Sequence, residues 1–511
     1  MSSKKPNLLK STALITIMLL ISKITGFVRE LSIASQFGQN RESDIFKVVT
    51  RIPNLFLNCV AAAMIVTFIP VFSGIKNDKE VANKFFNNIL NIIFLLTLFL
   101  SIIGIIFSPQ LTFLFASGFQ GNDFVRAANM TKIVMPAIIF LSLSGLYTGY
   151  LQCYGKMIQP AITSIVSNIL LIIIIVVFGK YGIIAAIIGF FLSAVVQVFV
   201  QLPFMGDYKY KFYINFKDEN IKKVFVLAIP ILISTAVGQI NVIVDSTFAT
   251  HLVAGSPSVL DNASKISTLI NQVFILSLTT VLYPMLTDRF SNNDMDGFKE
   301  LLVKSINIVI ITVIPLIFGL VVLSTPVTKL LLEHRNFLPK DTLITSHCLK
   351  FLAFSTLGYS LLDVLGKVFF SMKDTVTPML NGFVMIGLNI LLIFILVPRL
   401  GVTGLALATT ISACTIPLIM LVELKFKLKF LEFKKIFFVL LKSLVSGVVM
   451  ALVIYKLYDF ICSLLPANSV GTLFLKILVT TVIGSVLYVI GLVILRVKEV
   501  DFFKQLIKKK R

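Results

Sequence analysis

Apolar runs of about 20 residues, the length that a helix needs to cross a bilayer, recur from one end of the chain to the other. Glycine and proline interrupt the pattern at the joins, as in SPQ at 108 and KYG at 180. The pattern predicts an all-α polytopic membrane protein with about fourteen transmembrane helices. These predicted spans 1 to 14 cover residues 10–37, 44–73, 85–107, 125–152, 159–178, 182–204, 222–248, 258–286, 299–323, 343–371, 377–397, 402–424, 435–460 and 470–497.

Composition agrees with a membrane protein, because 57% of the 511 residues are hydrophobic and only 14% are charged. Soluble domains carry about 25% charged residues. The first apolar run follows lysines as a secretory signal does, but it lacks a small-residue cleavage site, so we expect it to remain as the first helix. The five cysteines lie far apart without a CxxC pair, which disfavours a disulfide framework or a zinc site.

The net charge of +22 lies in short joins and at the C-terminus, so no basic face for nucleic acid is expected. Basic loops mark the cytoplasmic side of a membrane protein and favour an anionic lipid surface. Both termini are therefore predicted to be cytoplasmic. The cytoplasmic set is Lys4, Lys5, Lys76, Lys79, Lys84, Lys209, Lys211, Lys217, Lys222, Lys223, Arg289, Lys299, Lys425, Lys427, Lys429, Lys434, Lys435 and the tail KQLIKKKR. The sparser outer set is Arg41, Arg126, Lys180, Arg335, Lys340 and Arg399.

Four sequence similarities recur in order at a displacement of about 215 residues. The matched pairs are IASQFGQNRESD (33–44) with FATHLVAGSPSV (248–259), IPVF with YPML, YGKMIQP with MKDTVTP, and KYGIIAAIIG (180–189) with RLGVTGLALA (399–408). An even number of spans per repeat predicts two parallel six-helix repeats, a plan that many transporters use. We expect an N-lobe over 1–221, a C-lobe over 222–424, and two added helices with a basic tail over 425–511.

Span 1 carries charges that lipid would penalise by roughly 2.5–3.5 kcal/mol each. At 100° per residue, Ser22, Lys23, Gly26, Arg29 and Glu30 fall within a sector of about 120°. A single polar stripe on an apolar helix is expected to face protein or water. Span 2 repeats the pattern within a narrower sector of its own. The polar positions of span 2 are Asp44, Lys47, Arg51, Asn54 and Asn58.

Spans 7, 8 and 10 carry further polar stripes. Their positions are Ser234, Asn241 and Asp245; Asp261, Lys265, Thr268 and Gln272; and Asp363 and Lys367. Because the repeat relates spans 1 and 2 to spans 7 and 8, the stripes occupy symmetric positions. They predict one central hydrated cavity between the two halves.

Plainer interpretations of these charges stay open. The pairs Asp261 with Lys265, and Asp363 with Lys367, have the i,i+4 spacing of mutually neutralising ion pairs. Asp44 is near Arg41 and Lys47 in sequence and acts either as a gate or as a structural link. Lys23 is close enough to the helix start to extend towards the cytoplasm.

A cationic excess in such a cavity favours an anionic cargo, since arginine and lysine both suit phosphate. A cation-coupled drug exporter, with Asp245 and Asp363 as working carboxylates, is the alternative within the same architecture. An enzyme is disfavoured because the longest loops (205–221 and 324–342) hold no convincing nucleophile–base pair, metal cluster or phosphate-cradling glycine motif. We expect no catalytic residue, metal or cofactor, and leave a coupling ion open.

Several motifs resemble the MurJ (MviN) family of lipid II flippases, within the multidrug/oligosaccharidyl-lipid/polysaccharide (MOP) exporter superfamily. They are SKITGFVRELSIASQFGQNRESDIF with RIPNLF, INVIVDSTFATHLVAGSPSVLDNASKIS (240–267), LLEHRNFLPKDTLIT (331–345) and FFSMKDTVTPML (369–380). The resemblance extends over essentially the full length. It implies a flippase that carries an undecaprenyl-diphosphate-linked peptidoglycan precursor to the outer leaflet of the bacterial cytoplasmic membrane by alternating access. Cell-wall synthesis proteins are implied partners.

The resemblance also implies residue roles. The family's basic residues for the diphosphate fall on Lys23, Arg29, Arg51 and Lys265, and its acidic residue at the outer end of the second helix falls on Asp44. We expect supporting or gating roles for the other polar positions. These are Ser22, Gly26, Glu30, Asn54, Asp245, Asp261, Asp363 and Lys367. Spans 13 and 14 resemble the family's membrane-facing groove for the polyprenyl chain.

The sequence departs from the family pattern at several of these positions. Lysine replaces the usual arginine at 23 and 265, and a planar two-pronged contact is lost with it. Leu57 stands where the family often has arginine, and Ala62 stands near its usual acidic residue. Ser264 and Thr268 replace acidic neighbours of the span 8 arginine. Another polyprenyl-diphosphate sugar therefore stays open as the cargo.

Overall fold

The structure is a computed structural model that describes residues 5–63, 67–206, 208–429, 432–465, 469–497 and 499. Side chains are described in these ranges except at 5–13, 15–16, 59–63, 230–231, 233–234, 236–238 and 270–281. Within this part of the chain, eighteen α-helices follow one another. They are α1 (Lys5–Phe37), α2 (Arg41–Ala63), α3 (Ile69–Ile75), α4 (Lys79–Ile106), α5 (Ser108–Ala116), α6 (Gly121–Val134), α7 (Ala137–Cys153), α8 (Ile158–Phe178), α9 (Ile183–Gln201), α10 (Glu219–Thr250), α11 (Ser256–Ser291), α12 (Met295–Val322), α13 (Ser324–Leu332), α14 (Pro339–Ser371), α15 (Val376–Leu400), α16 (Val402–Leu428), α17 (Phe433–Leu464) and α18 (Val470–Ile494).

The apolar runs form the helices that their length predicts. Every predicted span overlaps one helix or two consecutive helices. Among the described residues, ten helical stretches are long and apolar enough to cross a membrane. Large apolar side chains such as Phe99 and Leu452 are exposed along these helices, as a lipid-facing surface requires. The all-α polytopic class is confirmed, whereas the total of about fourteen spans stays a prediction.

Two short helices were missed by the sequence analysis. Helices α5 and α13 are nine residues long, and each has a serine at its first position and a proline in its first turn. Helix α13 lies inside the loop expected over 324–342, so that expectation is corrected. A nine-residue apolar stretch that directly follows a longer one has no periodicity of its own by which to separate it.

The repeat is visible in the way equivalent helices begin. Asp78 caps α4 by accepting hydrogen bonds from two backbone amides, and Asp294 caps α12 at the equivalent position. Gly182 and Gly401, matched by the sequence repeat, precede α9 and α16 with φ angles of +85° and +57°. Glycine tolerates that conformation because it has no Cβ. The short helices α5 and α13 occupy equivalent positions as well, so the order of helices repeats, whereas the parallel orientation of the two repeats stays a prediction.

The chain divides into two compact units. Unit 1 contains Met1–Ser258 with His334–Phe337, and unit 2 contains Val259–Glu333 with Leu338–Arg511. The core of unit 1 includes Ile45 and Val49 of α2, and α10 packs against this helix. The core of unit 2 is built from α11, α12, α14, α16, α17 and α18. The N-lobe over 1–221, the C-lobe over 222–424 and the added helices over 425–511 were predicted from the sequence repeat, and they stay a prediction.

Candidate functional site

A buried carboxylate joins two cations in unit 1. Glu30 Oε1 on α1 accepts a hydrogen bond from Arg29 Nη2 at 2.7 Å, and its Oε2 accepts one from Lys47 Nζ on α2 at 2.6 Å. The side chains of Glu30 and Lys47 are only 11% and 5% exposed. Each buried charge thus has an ionic partner, which offsets the cost of removing it from water. The three side chains together keep one positive charge in excess.

The environment of Lys47 therefore differs from the one that its polar stripe predicted. The helical sector grouped it with Asp44 and Arg51 as part of a cavity lining, but the structure buries it in an ion pair with Glu30. A sector fixes which residues of one helix share a face. It carries no information on which neighbouring helix each side chain meets.

Asn168 on α8 belongs to the site and was not found from sequence. Its Oδ1 accepts a hydrogen bond from Arg29 Nη1 at 3.0 Å, and its Nδ2 donates to Thr25 Oγ1 at 3.4 Å. Gly26 lies next to this amide, since a Cβ atom there would be 3.4 Å from Nδ2. The available signal was an asparagine inside one of the most apolar helices of the chain, at mean hydropathy 2.8.

The Arg29 guanidinium is consequently held from two sides. Asn168 binds one terminal nitrogen and Glu30 binds the other, while the side chain stays 33% exposed. A guanidinium has five N–H donors, so donors remain for a further ligand after these two bonds. The geometry presents a fixed, partly exposed cation on α1.

The other predicted cations of unit 1 are also partly exposed. Arg51 Nη1 donates to the backbone carbonyl of Val242 on α10 at 3.3 Å. Lys23 and Ser22 lie about two helical turns before Arg29 on α1, and both are half-buried. Asn54, one turn beyond Arg51, is half-buried too.

Asp44 is fully buried and connects the start of α2 to the segment that begins α11. Its Oδ2 accepts from Gly255 N at 2.7 Å, and its Oδ1 accepts from Ser258 N and Oγ at 3.0 and 2.8 Å. Arg41 Nη1 lies 3.9 Å from Oδ2. These contacts within unit 1 are those of a structural link, whereas the predicted gating role stays a prediction.

In unit 2, Lys265 forms the i,i+4 ion pair that its spacing allows. Lys265 Nζ lies 2.8 Å from Asp261 Oδ2, and the two side chains are 36% and 12% exposed. Helix α11 is held against α14 here, because Ser267 Oγ donates to the backbone carbonyl of Leu352 at 3.0 Å. Lys265 is thus both oriented by a carboxylate and accessible.

The carboxylates of the drug-exporter alternative lie in different units. Asp363 is exposed on α14, and Lys367 Nζ, one turn further, lies 5.5 Å from the ring centre of Tyr283. Asp245 is half-buried on α10 in unit 1. Among the described residues, no group of three or more His, Cys, Asp or Glu side chains is arranged to hold a metal ion.

An apolar cavity of about 420 Å³ lies in unit 2 between α12, α17 and α18, the last two being predicted spans 13 and 14. Its lining includes Gly319, Met450, Ile454 and Tyr488. A Cβ at Gly319 would have no heavy atom within 4 Å, so this wall of the cavity is open. Most of the side chains that line the cavity are apolar.

Some predicted positions lie outside the described residues or side chains. They are Lys4, Lys5, Ala62, Ser234, Gln272 and the basic tail 504–511.

The sequence profile of one protein family, described as "Lipid II flippase MurJ", matches residues 33–480. The chain is a member of the lipid II flippase MurJ family. A "Probable lipid II flippase MurJ" of Buchnera aphidicola subsp. Schizaphis graminum is 29% identical over 517 residues, which cover 99% of this chain and 100% of the relative.

Solved structures agree with this membership. A structure titled "Lipid II flippase MurJ, inward closed conformation" matches with a TM-score of 0.80 at 28% identity, covering 97% of this chain and 100% of its own. An inward-facing multidrug MATE transporter of the MOP superfamily matches with a TM-score of 0.68 at 14% identity, covering 81% and 98%. The second likeness shows the fold alone. Membership of the MurJ family and ten long apolar helices make the chain a multi-pass protein of the bacterial inner membrane.

Proposed function

We propose that the chain moves lipid II, the undecaprenyl-diphosphate-linked peptidoglycan precursor, from the inner to the outer leaflet by alternating access. The observation that carries the proposal is Arg29, a guanidinium of α1 that Glu30 and Asn168 of α8 hold and that keeps donors for a further ligand. Diphosphate oxygens are the acceptors that such a fork fits. Relatives named as flippases over the full length support the same cargo. This activity is transport and involves no chemical step.

Four cations are proposed to bind the diphosphate: Lys23, Arg29, Arg51 and Lys265. Their partial exposure supports the role, since a fully buried cation is inaccessible and a fully exposed one is screened by water. Glu30 and Asp261 orient two of them through ion pairs. The remaining polar positions, including Asp245, Asp363 and Lys367, are proposed as supporting or gating residues.

The departures from the family pattern shape the contact with the cargo. Lys23 and Lys265 act as point charges where a guanidinium is usual, so Arg29 and Arg51 supply the planar contacts. Leu57 packs against the apolar core of unit 1, which leaves this site one cation poorer than the family pattern. We therefore infer that the lysines bind the diphosphate more weakly than the family's arginines do, and that the fixed orientation of Arg29 compensates for this loss.

The polyprenyl chain is proposed to bind in the cavity between α12, α17 and α18. Its lining is almost wholly apolar, and the binding of an isoprenoid there removes apolar surface from water and lipid headgroups. The excess of lysine on the loops assigned to the cytoplasm supports cytoplasmic termini. Proteins of cell-wall synthesis are proposed partners at the membrane.

The test is complementation in a bacterium depleted of its resident lipid II flippase, with growth and outer-leaflet lipid II as readouts. We expect rescue by the wild-type chain and its loss with Arg29→Ala or Lys265→Ala. Arg29→Lys is expected to retain only part of the activity, because it keeps the charge and loses the fork. Lys180→Ala, which removes an exposed cation near the start of α9, serves as the matched control and is expected to rescue fully.

Other outcomes point elsewhere. Rescue by both alanine variants refutes the site. Failure of a well-expressed wild-type chain in this host, together with activity on another polyprenyl-diphosphate sugar in vesicles, changes the cargo. Drug resistance that the wild-type chain confers and that Asp245→Asn or Asp363→Asn abolishes favours the exporter alternative.

A further inference from the structure

An extended segment, Tyr208–Lys217, connects the end of the α9 region to α10 in unit 1. We call it the strap. It forms no helix, yet it is held firmly by three asparagines of α4, namely Asn87, Asn88 and Asn91. Amide side chains replace here the ladder of backbone hydrogen bonds that an isolated extended segment lacks.

The asparagines bind the backbone of the strap at intervals. Asn88 Nδ2 donates to Asn215 O at 2.9 Å, and its Oδ1 accepts from Asn215 N at 2.8 Å. Asn91 Nδ2 donates to Tyr213 O at 3.1 Å, and Asn87 Oδ1 accepts from Lys211 N at 3.1 Å. The path of the strap is therefore fixed by α4.

Two tyrosines of the strap bind the same asparagines. Tyr208 Oη donates to Asn87 Oδ1 at 2.6 Å, and Tyr210 Oη donates to Asn91 Oδ1 at 2.8 Å. Burial raises the pKa of Tyr208, so its phenol stays protonated and keeps donating at neutral pH.

The side of the strap that faces away from α4 is aromatic and basic. Phe212 is 73% exposed and Phe216 is 64% exposed. Three exposed lysines flank them along the strap: Lys209 and Lys211 before the two rings, and Lys217 after them. Acidic residues stand only at the two ends of the strap in the sequence, Asp207 before it and Asp218 after it, and Asp218 accepts a hydrogen bond from Asn220 N at the start of α10. The exposed strap thus carries charge of one sign beside large apolar rings.

The flanking helices locate this surface at the boundary of the hydrocarbon layer. On α10, Lys222 and Lys223 are exposed, and exposed apolar side chains begin one turn later at Val226. On the other side, the stretch Ile183–Met205, which is long and apolar enough to cross a membrane, ends three residues before the strap. The strap is therefore next to the end of a membrane-spanning stretch in the chain, where the headgroup layer begins.

We propose that the strap is a docking surface for the headgroups of anionic phospholipids. Lys209, Lys211 and Lys217 contact the phosphates, while the rings of Phe212 and Phe216 enter the boundary between headgroups and acyl chains. Aromatic rings prefer this layer, and basic segments next to a span are attracted to anionic lipid. A soluble acidic protein meets the charge requirement but leaves both phenylalanines facing the membrane boundary without a role. The asparagines of α4 are positioning residues for this surface.

The chain contains no tryptophan, so a Phe212→Trp variant has a fluorescence signal free of background. The full-length protein is placed in nanodiscs of phosphatidylcholine alone, or with phosphatidylglycerol, each containing brominated acyl chains as quencher. We expect quenching of Phe212→Trp with phosphatidylglycerol, reduced by about half in neutral lipid or 0.5 M salt. Changing the three strap lysines to glutamine is expected to give the neutral-lipid result in both mixtures.

Two further tryptophan variants serve as controls, one for a position in lipid and one for a position in water. Phe99→Trp, on the exposed face of α4, is expected to be quenched equally in every lipid mixture, and this signal also reports that the lysine variants fold. Val253→Trp, in the exposed turn after α10, is expected to escape quenching. Asn88→Ala is expected to weaken the lipid dependence of Phe212→Trp without changing Phe99→Trp.

Three results overturn the proposal. The first is equal quenching of Phe212→Trp in neutral and anionic lipid. The second is water accessibility of this tryptophan, measured with acrylamide, that equals the accessibility of Val253→Trp in both mixtures. The third is protection that develops only after a soluble protein fraction is added.

Discussion

Glu30 is the residue on which the charges of the N-terminal helices depend. Its two carboxylate oxygens serve different cations, since Arg29 is partly exposed whereas Lys47 is 5% exposed. Loss of the carboxylate therefore removes the ion pair that offsets the burial of the Lys47 charge. Removal of one partner from such a pair is strongly unfavourable, whereas replacement of the whole pair by apolar groups is often neutral.

We predict that Glu30→Gln lowers the free energy of unfolding by about 3 kcal/mol, because it removes the ion pair of the buried Lys47. Thermal unfolding of the purified protein in detergent measures the effect. The double variant Glu30→Gln with Lys47→Met is expected to recover most of the stability.

The control is Arg289→Gln, which breaks the exposed ion pair with Asp294 and is expected to cost less than about 1 kcal/mol. A Glu30→Gln loss no larger than that of the control contradicts the assignment of Glu30 as the central carboxylate. So does a double variant that is less stable than the single one.

At this scale the sequence predicted which residues matter but not their partners. Helical spacing placed Arg29 and Glu30 on one face of α1, and both are part of the site. Asn168 lies 139 residues further on, and its bond to Arg29 follows from the packing of α8 against α1. No local pattern encodes such a pairing, because it depends on the rotation of two helices about their axes.

At the scale of elements, stabilisation comes from the helix starts. At the start of α15, Asp374 both accepts hydrogen bonds from backbone amides and binds a lysine. Its Oδ1 accepts from the amides of Val376 and Thr377 at 3.1 and 3.0 Å, and its Oδ2 binds Lys427 and the Thr377 hydroxyl. Partial burial raises the pKa of this carboxyl, but the bonds from Lys427 and Thr377 outweigh it and lower the pKa to about 2. The cap thus stabilises the fold as a carboxylate.

We predict that Asp374→Ala lowers the free energy of unfolding by about 1 kcal/mol, equally at pH 6 and pH 8. The folded pKa lies below the ordinary value of 3.8, so the contribution is complete above that value and is lost as the pH falls towards 2. Unfolding temperatures at several pH values measure it. Asp296→Ala, in the first turn of α12, is the control. A loss that changes between pH 6 and pH 8 contradicts the cap.

The helices themselves were predictable because their length is set by the membrane and their composition by lipid. The exceptions have local causes. One predicted span is broken into α6 and α7 at Pro136, which has no amide hydrogen to continue the helix. Helices α5 and α13 have nine residues each, too few to stand out beside their neighbours. Apolarity determines where helices occur more strongly than where they end.

For the whole molecule, the proposed cargo makes two chemically different demands. Its diphosphate needs fixed cations, which α1, α2 and α11 carry. Its isoprenoid chain needs an apolar surface, which the cavity of α12, α17 and α18 provides. A lipid with a long chain engages both features, and a water-soluble diphosphate engages only the first. The two contributions are therefore separable by mutation.

We predict that Gly319→Phe abolishes transport of lipid II while leaving binding of a short-chain diphosphate analogue within about twofold. Gly319 lines the cavity of about 420 Å³, and a Cβ atom added there meets no heavy atom within 4 Å, so the new side chain has room to start into the cavity. It then occupies space that the isoprenoid chain needs. Gly387→Phe, at an equally open glycine on α15 outside the cavity, is the matched control and is expected to transport normally. Normal transport by Gly319→Phe, at wild-type expression, means that the chain of the cargo lies elsewhere. Loss of short-chain binding as well means that the cavity and the cationic site are not separable.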